Sequence, residues 1–360
     1  MAGEQNDSVS LSVVWVHFYT PRLLEQSVDA VTMQCQQLGI LFELIVVDNG
    51  GLDQPNAMLG DQVNIISGQG NIGYAAAINL GVNASSGDKI LVLNPDVIVQ
   101  PMCISELLKS LHQNDIVSPY TYLDTSLTFK LPPTEKYDFY TMTIRVLAES
   151  FKPIQKWALH RWRKHVHRAW QADLCYELSG AIVGFSRFAW TTIGPWNDTY
   201  FLYFEETDWL RRAKQAGLRA AYAHGANAVH LYAQSPQQDG VREKHFAQSL
   251  STFEQLYLAR WQRRILRLLR RWVHLNRAHS KPRGEAQGSN QVVNINSSIQ
   301  GHSSPSRLPC LMELSNSPLG FPATIAFIRN DEELKRALSV ANEIVEQNFS
   351  IEFNYDSTFV

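Results

Sequence analysis

Two hydrophobic patterns alternate along the first hundred residues. Short apolar runs rich in β-branched residues predict buried strands, and longer stretches with helical periodicity lie between them. The predicted strands are Leu11–Val16, Leu44–Val47, Val63–Ile66 and Ile90–Leu93, and the predicted helices are Pro21–Leu38 and Tyr74–Asn83. Strands that alternate with helices predict a mostly parallel sheet covered on both faces.

Polar residues follow two of these strands. Asp48-Asn49-Gly50-Gly51 ends the second strand, and Asn94-Pro95-Asp96 ends the fourth. Because ligands of such sheets bind at the carboxyl ends of the strands, we expect Asp48, Asn94 and Asp96 to lie at the functional edge. A carboxylate beside an amide suits a hard divalent cation that takes further ligands from a pyrophosphate. The alternative is an aspartate that caps a helix or a turn.

A glycine-rich segment offers a competing interpretation. Residues 68–73 read G-x-G-x-x-G, and Asp88 follows at about the twenty-residue distance of a dinucleotide-binding fingerprint. That fingerprint normally occupies the first strand–helix turn, whereas here a strand, a helix and a second strand precede it. Asp88 also comes before the next strand rather than at its end. We therefore favour a tight loop that passes close to a ligand over a nicotinamide-dependent dehydrogenase.

Acidic residues follow an aromatic run in Tyr203-Phe204-Glu205-Glu206-Thr207-Asp208. Adjacent carboxylates beside bulky aromatic rings favour a raised pKa, as a general base requires. The alternative is a helix start, where negative charge is favourable. His230 follows the apolar run Ala226–Val229, where a histidine serves either in packing or as a metal ligand.

The remaining hydrophobic pattern predicts two basic amphipathic helices and a separate C-terminal segment. Trp157–Trp170 places Trp162, Val166 and Ala169 near one helical face. In the second helix, apolar residues recur every three or four positions with arginines on the other side: Leu258, Trp261, Ile265, Leu268, Trp272 and Leu275, against Arg260, Arg264, Arg267 and Arg271. Residues 279–306 are rich in Ser, Asn, Gln and Gly and predict a linker. The tail predicts a small α+β module with strands Leu308–Leu314, Ala323–Ile328 and Ser350–Tyr355 and a helix Asp331–Gln347.

Composition narrows the class of protein. The 360 residues are 45% hydrophobic and 18% charged, which is typical of a globular chain with more than one domain. The net charge of −2 conceals basic stretches at 156–168 and 260–277, which indicate an anionic partner. The four cysteines are dispersed, and the N-terminus lacks a signal-peptide pattern, so we expect a cytoplasmic protein. Because no apolar run approaches about 20 residues, we expect any membrane contact to be peripheral. Nucleic-acid binding lacks a supporting motif.

In this order the segments resemble family 2 glycosyltransferases of the GT-A fold, in the rhamnosyltransferase-like branch, from Ser10 to Tyr232. The resemblance is carried by VVWVHFYTPRLL at 13–24, VVDNG at 46–50, NIGYAAAINLG at 71–81, GDKILVLNPD at 87–96, and shorter matches at 179–184, 193–196, 201–208 and 229–230. It implies an α/β GT-A fold with a Rossmann-like mixed, mostly parallel sheet and flanking helices. The basic amphipathic helices and the small C-terminal α+β module would be additions to that fold.

The resemblance also implies residue roles. The nucleotide would be bound by His17, Tyr19, Asp48, Asn49, Asn71, Gly73 and Asn94. Asp96 and His230 would hold Mg2+ or Mn2+ at the pyrophosphate. Glu206 would be the catalytic base, with Glu205 and Asp208 beside it, and the sugar pocket would include Gly180, Ala181, Trp196 and Tyr203. The family often has a Tyr-Asn pair where this chain has Phe18-Tyr19, and an aspartate at the position of Glu206. These departures leave Glu205 or Glu206 open as the base, and an inactive sugar-nucleotide-binding or glycan-binding relative open as the alternative.

The implied reaction is inverting transfer of a sugar, with L-rhamnose from dTDP-L-rhamnose favoured, to a cell-surface polysaccharide or a lipid-linked glycan. The implied partners are this donor, this acceptor and an anionic membrane at the inner face of the cell membrane, which the two basic amphipathic helices would contact. The alternative is that both helices pack on the catalytic domain and solvate their arginines. The predicted domains are 1–255 for catalysis, with a basic-aromatic insert at about 137–172, then the helix 256–278, the linker 279–306 and the module 307–360.

Overall fold

A computed structural model of the chain describes residues 9–50, 52, 58–231, 240–279, 310–315, 323–345 and 350–354. Gly51, Tyr232 and all but the first residue of the predicted linker lie outside the described residues. The chain divides into two compact units, residues 1–121 with 172–256 and residues 122–171 with 257–360. The predicted domain boundaries stay predictions.

The first unit is built on an eight-stranded sheet in the order β3-β2-β1-β4-β7-β6-β8-β5. Its strands are β1 Leu11–His17, β2 Phe42–Asp48, β3 Val63–Ile66, β4 Lys89–Leu93, β5 Val97–Val99, β6 Ile116–Tyr122, β7 Ile182–Ser186 and β8 Ala220–His230. Its helices are α1 Pro21–Leu38, α2 Tyr74–Asn83, α3 Cys103–Ser110, α6 Arg187–Ile193, α7 Glu205–Gln215 and α8 Val241–Tyr257. The second unit contains α4 Phe139–Ala148, α5 Lys152–Gln171, α9 Arg260–His279, β9 Cys310–Ser315, β10 Thr324–Ile328, α10 Asp331–Val345 and β11 Ser350–Asn354.

The sheet confirms the predicted α/β class and its mixed character. The pairs β1–β2, β1–β4 and β2–β3 are parallel, whereas β4–β7, β6–β7 and β5–β8 are antiparallel. The three parallel pairs thus lie in the half predicted from strand–helix alternation. Strand β7 returns after the excursion of residues 122–171 rather than after a single crossover helix, so its direction is not restricted to parallel.

Strand and helix formation in the parallel half follows from burial. All seven residues of β1 are buried, as expected for a central strand covered on both faces. Trp15 donates from its indole nitrogen to Ser27 Oγ at 2.9 Å, and Ser27 donates to the carbonyl of Val97 at 2.7 Å. This buried chain of hydrogen bonds fixes α1 against the sheet. The helix begins with Pro21 in its first turn and ends at Gly39, whose φ of 62° favours glycine.

In the second unit, α4 packs against both α5 and α9. The order β10-β9-β11 forms a three-stranded antiparallel sheet. Its apolar core includes Phe129, Met312, Leu314 and Ile328, with α10 against it. The predicted strands and helix of the tail are thereby confirmed where the structure describes them, and the predicted ends at 308–309, 346–347 and 355 lie outside the described residues.

The buried face of α9 is not the apolar stripe read from the sequence. Leu266 and Val273 are buried, whereas Trp261, Leu268 and Trp272 are 58%, 58% and 43% exposed. On α5, by contrast, the predicted face of Trp162, Val166 and Ala169 is buried. Across the described ranges, every helix is too short or too polar to cross a membrane.

Candidate active site

His17 and Asp48 form a pair at the carboxyl ends of the neighbouring parallel strands β1 and β2. They lie opposite each other in the strand register, and His17 Nδ1 lies 2.8 Å from Asp48 Oδ1. The amide of Thr20 donates to His17 Nε2 at 2.9 Å, so the ring carries its proton on Nδ1 and donates it to Asp48. Burial lowers the pKa of His17, although the hydrogen bond and charge of Asp48 oppose that shift. A neutral histidine therefore orients the Asp48 carboxylate.

The glycine loop is fixed beside this pair. Asn49 donates to the carbonyl of Gly73 at 3.1 Å, and the Gly73 amide donates to Asn71 Oδ1 at 3.1 Å. Gly73 has a φ of 86°, and a Cβ at this position would lie 2.8 Å from the carbonyl oxygen of Phe201. The glycine is therefore required by close packing of backbone on backbone. Because the loop follows β3, the edge strand, it does not occupy the central strand–helix turn of a dinucleotide fingerprint.

Tyr19 also lies at this edge. It has a left-handed φ of 53°, its amide donates to the carbonyl of Gly50, and its ring is more than half exposed over that glycine. An exposed aromatic ring beside a carboxylate is suited to contact a nucleotide base or ribose. Asn49 Oδ1 is buried there without a hydrogen-bond partner among the described atoms, which leaves an acceptor for a ligand.

Asp96 and His230 meet at the carboxyl side of β4. Strands β5 and β8 pair antiparallel, and the Leu231 amide donates to the Asp96 carbonyl at 3.0 Å. This pairing places His230 Nε2 3.3 Å from Asp96 Oδ1, with both residues almost fully buried. Neighbouring ligands of an octahedral cation with bonds of about 2.1 Å lie roughly 3 Å apart, so the pair fits two adjacent coordination positions. Within the part of the chain that the structure describes, no third His, Cys, Asp or Glu joins them in a metal-binding group.

Tyr74, the first residue of α2, connects this pair to the acidic segment. Its hydroxyl donates to Asn94 Oδ1 at 2.6 Å and lies 3.2 Å from the carbonyl oxygen of Gly180. Burial raises the pKa of Tyr74 well above its usual value, and the charges of Glu205, Glu206 and Asp96 raise it further. The phenol is therefore protonated at working pH and is surrounded by the carboxylates that the sequence singled out.

Glu205 and Glu206 begin α7 in a strained setting. The two residues before them, Tyr203 and Phe204, both have left-handed φ values of 72° and 74°. Non-glycine residues in that region cost free energy and cluster at functional sites. Burial raises the pKa of both carboxyls, and the neighbouring charge of Glu206 raises that of Glu205 well above its usual range. The two groups titrate as a pair in which repulsion favours keeping one proton.

The two glutamates point into different surroundings. Glu205 is buried, and its Oε2 has no hydrogen-bond partner among the described atoms. Glu206 is partly exposed and lies against Gly180, where a Cβ would be 3.0 Å from its Cβ and Cγ. A base must reach a substrate hydroxyl, so this arrangement favours Glu206 over Glu205. The Gly180-Ala181 segment is held in turn by the Asn94 amide, which donates to the Ala181 carbonyl at 2.8 Å.

Asp208 and Trp196 have structural partners. Buried Asp208 accepts from Arg212 Nε at 2.9 Å, and the rest of that guanidinium donates to the carbonyls of Ile193 and Pro195 at 2.8 Å. Trp196 is only 1% exposed, and its ring lies between Tyr74 and Trp209 at centroid distances of 5.9 and 6.2 Å. These contacts favour positioning and packing roles over the predicted catalytic and sugar-pocket roles, which stay predictions.

Two residues of this region were missed by sequence reasoning. Tyr74 links the two halves of the site, and Asn79 makes two hydrogen bonds to the backbone of Trp196, at 2.8 and 2.9 Å. Both lie in the segment NIGYAAAINLG, where they are polar side chains with apolar neighbours in the helix. A polar side chain on a helix buried against a sheet implies a buried partner, and that was the available signal.

Comparison with known proteins gives one family match. The sequence model of glycosyl transferase family 2 matches residues 12–168, which are less than half of the chain. Over these residues the chain is similar to family 2 glycosyltransferases. The matched range includes His17, Asp48, Tyr74 and Asp96, whereas the acidic segment at the start of α7 and His230 lie beyond it.

Individual relatives are distant. The low-salt glycan biosynthesis hexosyltransferase Agl10 of Haloferax volcanii is 24% identical over 52% of this chain and 58% of its own. The undecaprenyl-phosphate 4-deoxy-4-formamido-L-arabinose transferase of Proteus mirabilis is 32% identical over 27% of this chain and 31% of its own. The chain thus spans less than two thirds of each relative. The solved structure of the mannosyltransferase PcManGT from Pyrobaculum calidifontis with GDP-Man and Mn2+ is 13% identical, with a TM-score of 0.43, over 81% of each chain.

Proposed function

We propose that this chain is an inverting glycosyltransferase of family 2 that uses a nucleoside-diphosphate sugar. The observation that carries the proposal is the arrangement around Tyr74. Its hydroxyl donates to Asn94, two residues from Asp96, and lies 3.2 Å from the carbonyl oxygen of Gly180, which lies against Glu206. An acid pair suited to base catalysis and a carboxylate–imidazole pair suited to a cation thus both lie near one half-buried phenol.

Each part of the site has a role in this reaction. The Asp48 carboxylate, oriented by His17, and the exposed ring of Tyr19 would bind the nucleoside. Asp96 and His230 would hold Mg2+ or Mn2+, whose remaining ligands would come from the donor diphosphate and water. When bound, the cation supplies positive charge that stabilises the departing diphosphate.

Glu206 would take the proton of the acceptor hydroxyl as that oxygen forms a bond to the anomeric carbon. The bond from this carbon to the diphosphate breaks in the same step, and the nucleoside diphosphate leaves with the electron pair. A single displacement inverts the anomeric configuration. Burial raises the pKa of Glu206, which makes it a stronger base than an ordinary carboxylate.

For the donor, we propose dTDP-L-rhamnose, on the resemblance of the chain to the rhamnosyltransferase-like branch. For the acceptor, we propose a lipid-linked glycan or a growing cell-surface polysaccharide, in keeping with the lipid phosphate named for the Proteus relative. The protein would then act in the cytoplasm at the inner face of the cell membrane.

The test is release of nucleoside diphosphate from a panel of sugar nucleotides, with Mn2+, Mg2+ or EDTA and membrane lipid extract as acceptor. The variants are Asp96→Asn and Glu206→Gln, with Glu25→Gln, an exposed carboxylate on α1, as the matched control. We expect turnover of one donor that EDTA and both site variants abolish and that the control retains. Binding of Mn2+ by the free protein, followed by its electron paramagnetic resonance signal, should weaken in Asp96→Asn alone. Donor binding without turnover of any donor would favour an inactive relative that binds sugar nucleotides.

A further inference from the structure

The second unit presents a surface of exposed aromatic and aliphatic side chains among cations, here called the basic–aromatic face. On α9 it contains Trp261, Leu268 and Trp272, each more than two fifths exposed. Trp261 lies edge-on to Phe139 of α4, and Trp272 stacks on the exposed ring of Phe151 at 5.6 Å. These contacts order the indoles without covering them, so the exposed apolar surface belongs to a packed helical layer.

The charge of this layer has one sign. Helix α9 carries seven arginines and helix α5 carries six lysines or arginines, and neither helix contains an aspartate or glutamate. The cations are Arg260, Arg263, Arg264, Arg267, Arg270, Arg271 and Arg277 on α9, and Lys152, Lys156, Arg161, Arg163, Lys164 and Arg168 on α5. A surface helix that only solvates its polar side would normally mix both signs.

The arginines flank the apolar stripe. Arg264 and Arg271 lie three residues after Trp261 and Leu268, which makes each a surface neighbour of the stripe, and both are exposed. On α5, the guanidinium of Arg161 lies 5.2 Å from the ring centroid of Trp157, an exposed side chain. Indoles and leucines are therefore bordered by guanidinium groups along the 20 residues of α9.

We propose that the basic–aromatic face docks on an anionic phospholipid surface, with the α9 axis lying in the plane of the interface. Tryptophan is suited to the depth of lipid headgroups, leucine to the acyl boundary just below, and arginine to the phosphates above. Exposed leucines along the stripe do not suit the phosphate backbone of a nucleic acid, and an acidic protein would not require them. This docking proposal rests on the proposed function and extends it, because it assigns the surface that would meet the membrane. The basic–aromatic face lies in the unit that does not hold the candidate active site.

The test uses the full chain and flotation with two kinds of vesicle, phosphatidylcholine alone and phosphatidylcholine mixed with phosphatidylglycerol. We expect binding to the anionic vesicles, weakening with added salt, and little binding to the neutral ones. Trp261→Ser with Trp272→Ser should lower the bound fraction about tenfold, because two indoles no longer enter the interface. Arg264→Gln with Arg271→Gln should weaken binding and reduce its dependence on salt. Phe188→Ser, at a 63% exposed ring of the other unit, is the matched control and should bind as the parent does.

Several results would overturn the proposal. The parent could fail to float, or the tryptophan pair could float as the parent does. Binding of duplex RNA without binding of vesicles would assign the face to nucleic acid, and a dimer lost in the tryptophan pair would assign it to a second copy of the chain. Circular dichroism should show an unchanged fold in all variants, since the replaced side chains are exposed. Release of nucleoside diphosphate from a soluble donor should persist in them, so a failure of docking is distinct from a failure of the proposed catalysis.

Discussion

Removal of one hydroxyl group, in Tyr74→Phe, tests whether the two halves of the site are coupled. The phenol donates to Asn94 Oδ1 at 2.6 Å and lies 3.2 Å from the Gly180 carbonyl oxygen. Phenylalanine keeps the ring and its contact with Trp196, at a centroid distance of 5.9 Å, so packing is preserved. The substitution therefore removes the link between the Asn94 turn and the Gly180 segment and little else.

The magnitude follows from the acceptors left behind. A buried acceptor without its donor costs about 1–3 kcal/mol, and the partial burial of Asn94 allows water to recover part of that. A loss of about 1–2 kcal/mol that acts on the transition state lowers kcat about 5- to 30-fold. We expect the KM for the donor to rise as well, because Asn94, which loses the hydrogen bond of the phenol, is a predicted nucleotide-binding residue two positions from Asp96.

The assay pairs steady-state nucleoside diphosphate release with urea unfolding. Tyr140→Phe, which removes the hydroxyl group of a 53% exposed tyrosine in the other unit, is the conservative control and should leave kcat and the free energy of unfolding unchanged. A purely structural role for Tyr74 would lower the free energy of unfolding and leave kcat intact. An unchanged kcat in Tyr74→Phe would refute the coupling.

Three further predictions test separate parts of the site. Because burial and a neighbouring charge raise the folded-state pKa of Glu205 above its usual 4.5, stability should fall as pH rises through that pKa. Glu205→Gln should then raise the Tm at pH 8 and lose this advantage towards pH 4, and an unchanged Tm at pH 8 would contradict the assignment. Gly73→Ala should cost about 1–3 kcal/mol of unfolding free energy, more than Gly217→Ala, which shares a left-handed φ but meets no atom within 4 Å. Equal losses of unfolding free energy in the two variants would exclude a clash between a Cβ at position 73 and Phe201. Asp208→Asn should lower the free energy of unfolding by about 2 kcal/mol through the weakened bond to Arg212 and keep measurable kcat, whereas complete loss of turnover in a folded variant would make Asp208 the base.

The parallel half of the sheet was predictable because its signals are local. Buried strands read as short apolar runs, and α1 and α2 begin and end at the predicted residues. The antiparallel half of the sheet was harder to predict from the sequence. Strand β5 has only three residues, and its partner β8 lies more than a hundred positions away, so its pairing is specified by tertiary packing rather than by a local pattern.

The orientation of α9 shows a different limit of periodicity. The helix carries one apolar stripe through Trp261, Leu268 and Trp272, and another through Leu266 and Val273. Both stripes satisfy helical spacing, and the larger side chains of the first stripe favour the prediction that the first one is buried. The structure buries the second, because the shorter aliphatic side chains pack there and the indoles remain at the surface. Periodicity identifies faces that are apolar, but it does not say which of two is covered.

The same distinction separates Glu205 from Glu206. As sequence neighbours they are equivalent, but successive residues of a helix point about 100° apart, so one turns into the protein when the other faces the site. Glu205 turns inward, where its Oε2 has no hydrogen-bond partner among the described atoms, and Glu206 lies against Gly180. A side chain at position 180 would crowd Glu206, whereas a glycine lets this segment pack directly against the Glu206 side chain. The residue that fits the surroundings of Glu206 is therefore 26 positions away in the sequence, on a segment held by Tyr74 and Asn94, and the pattern of acidic residues alone does not indicate it.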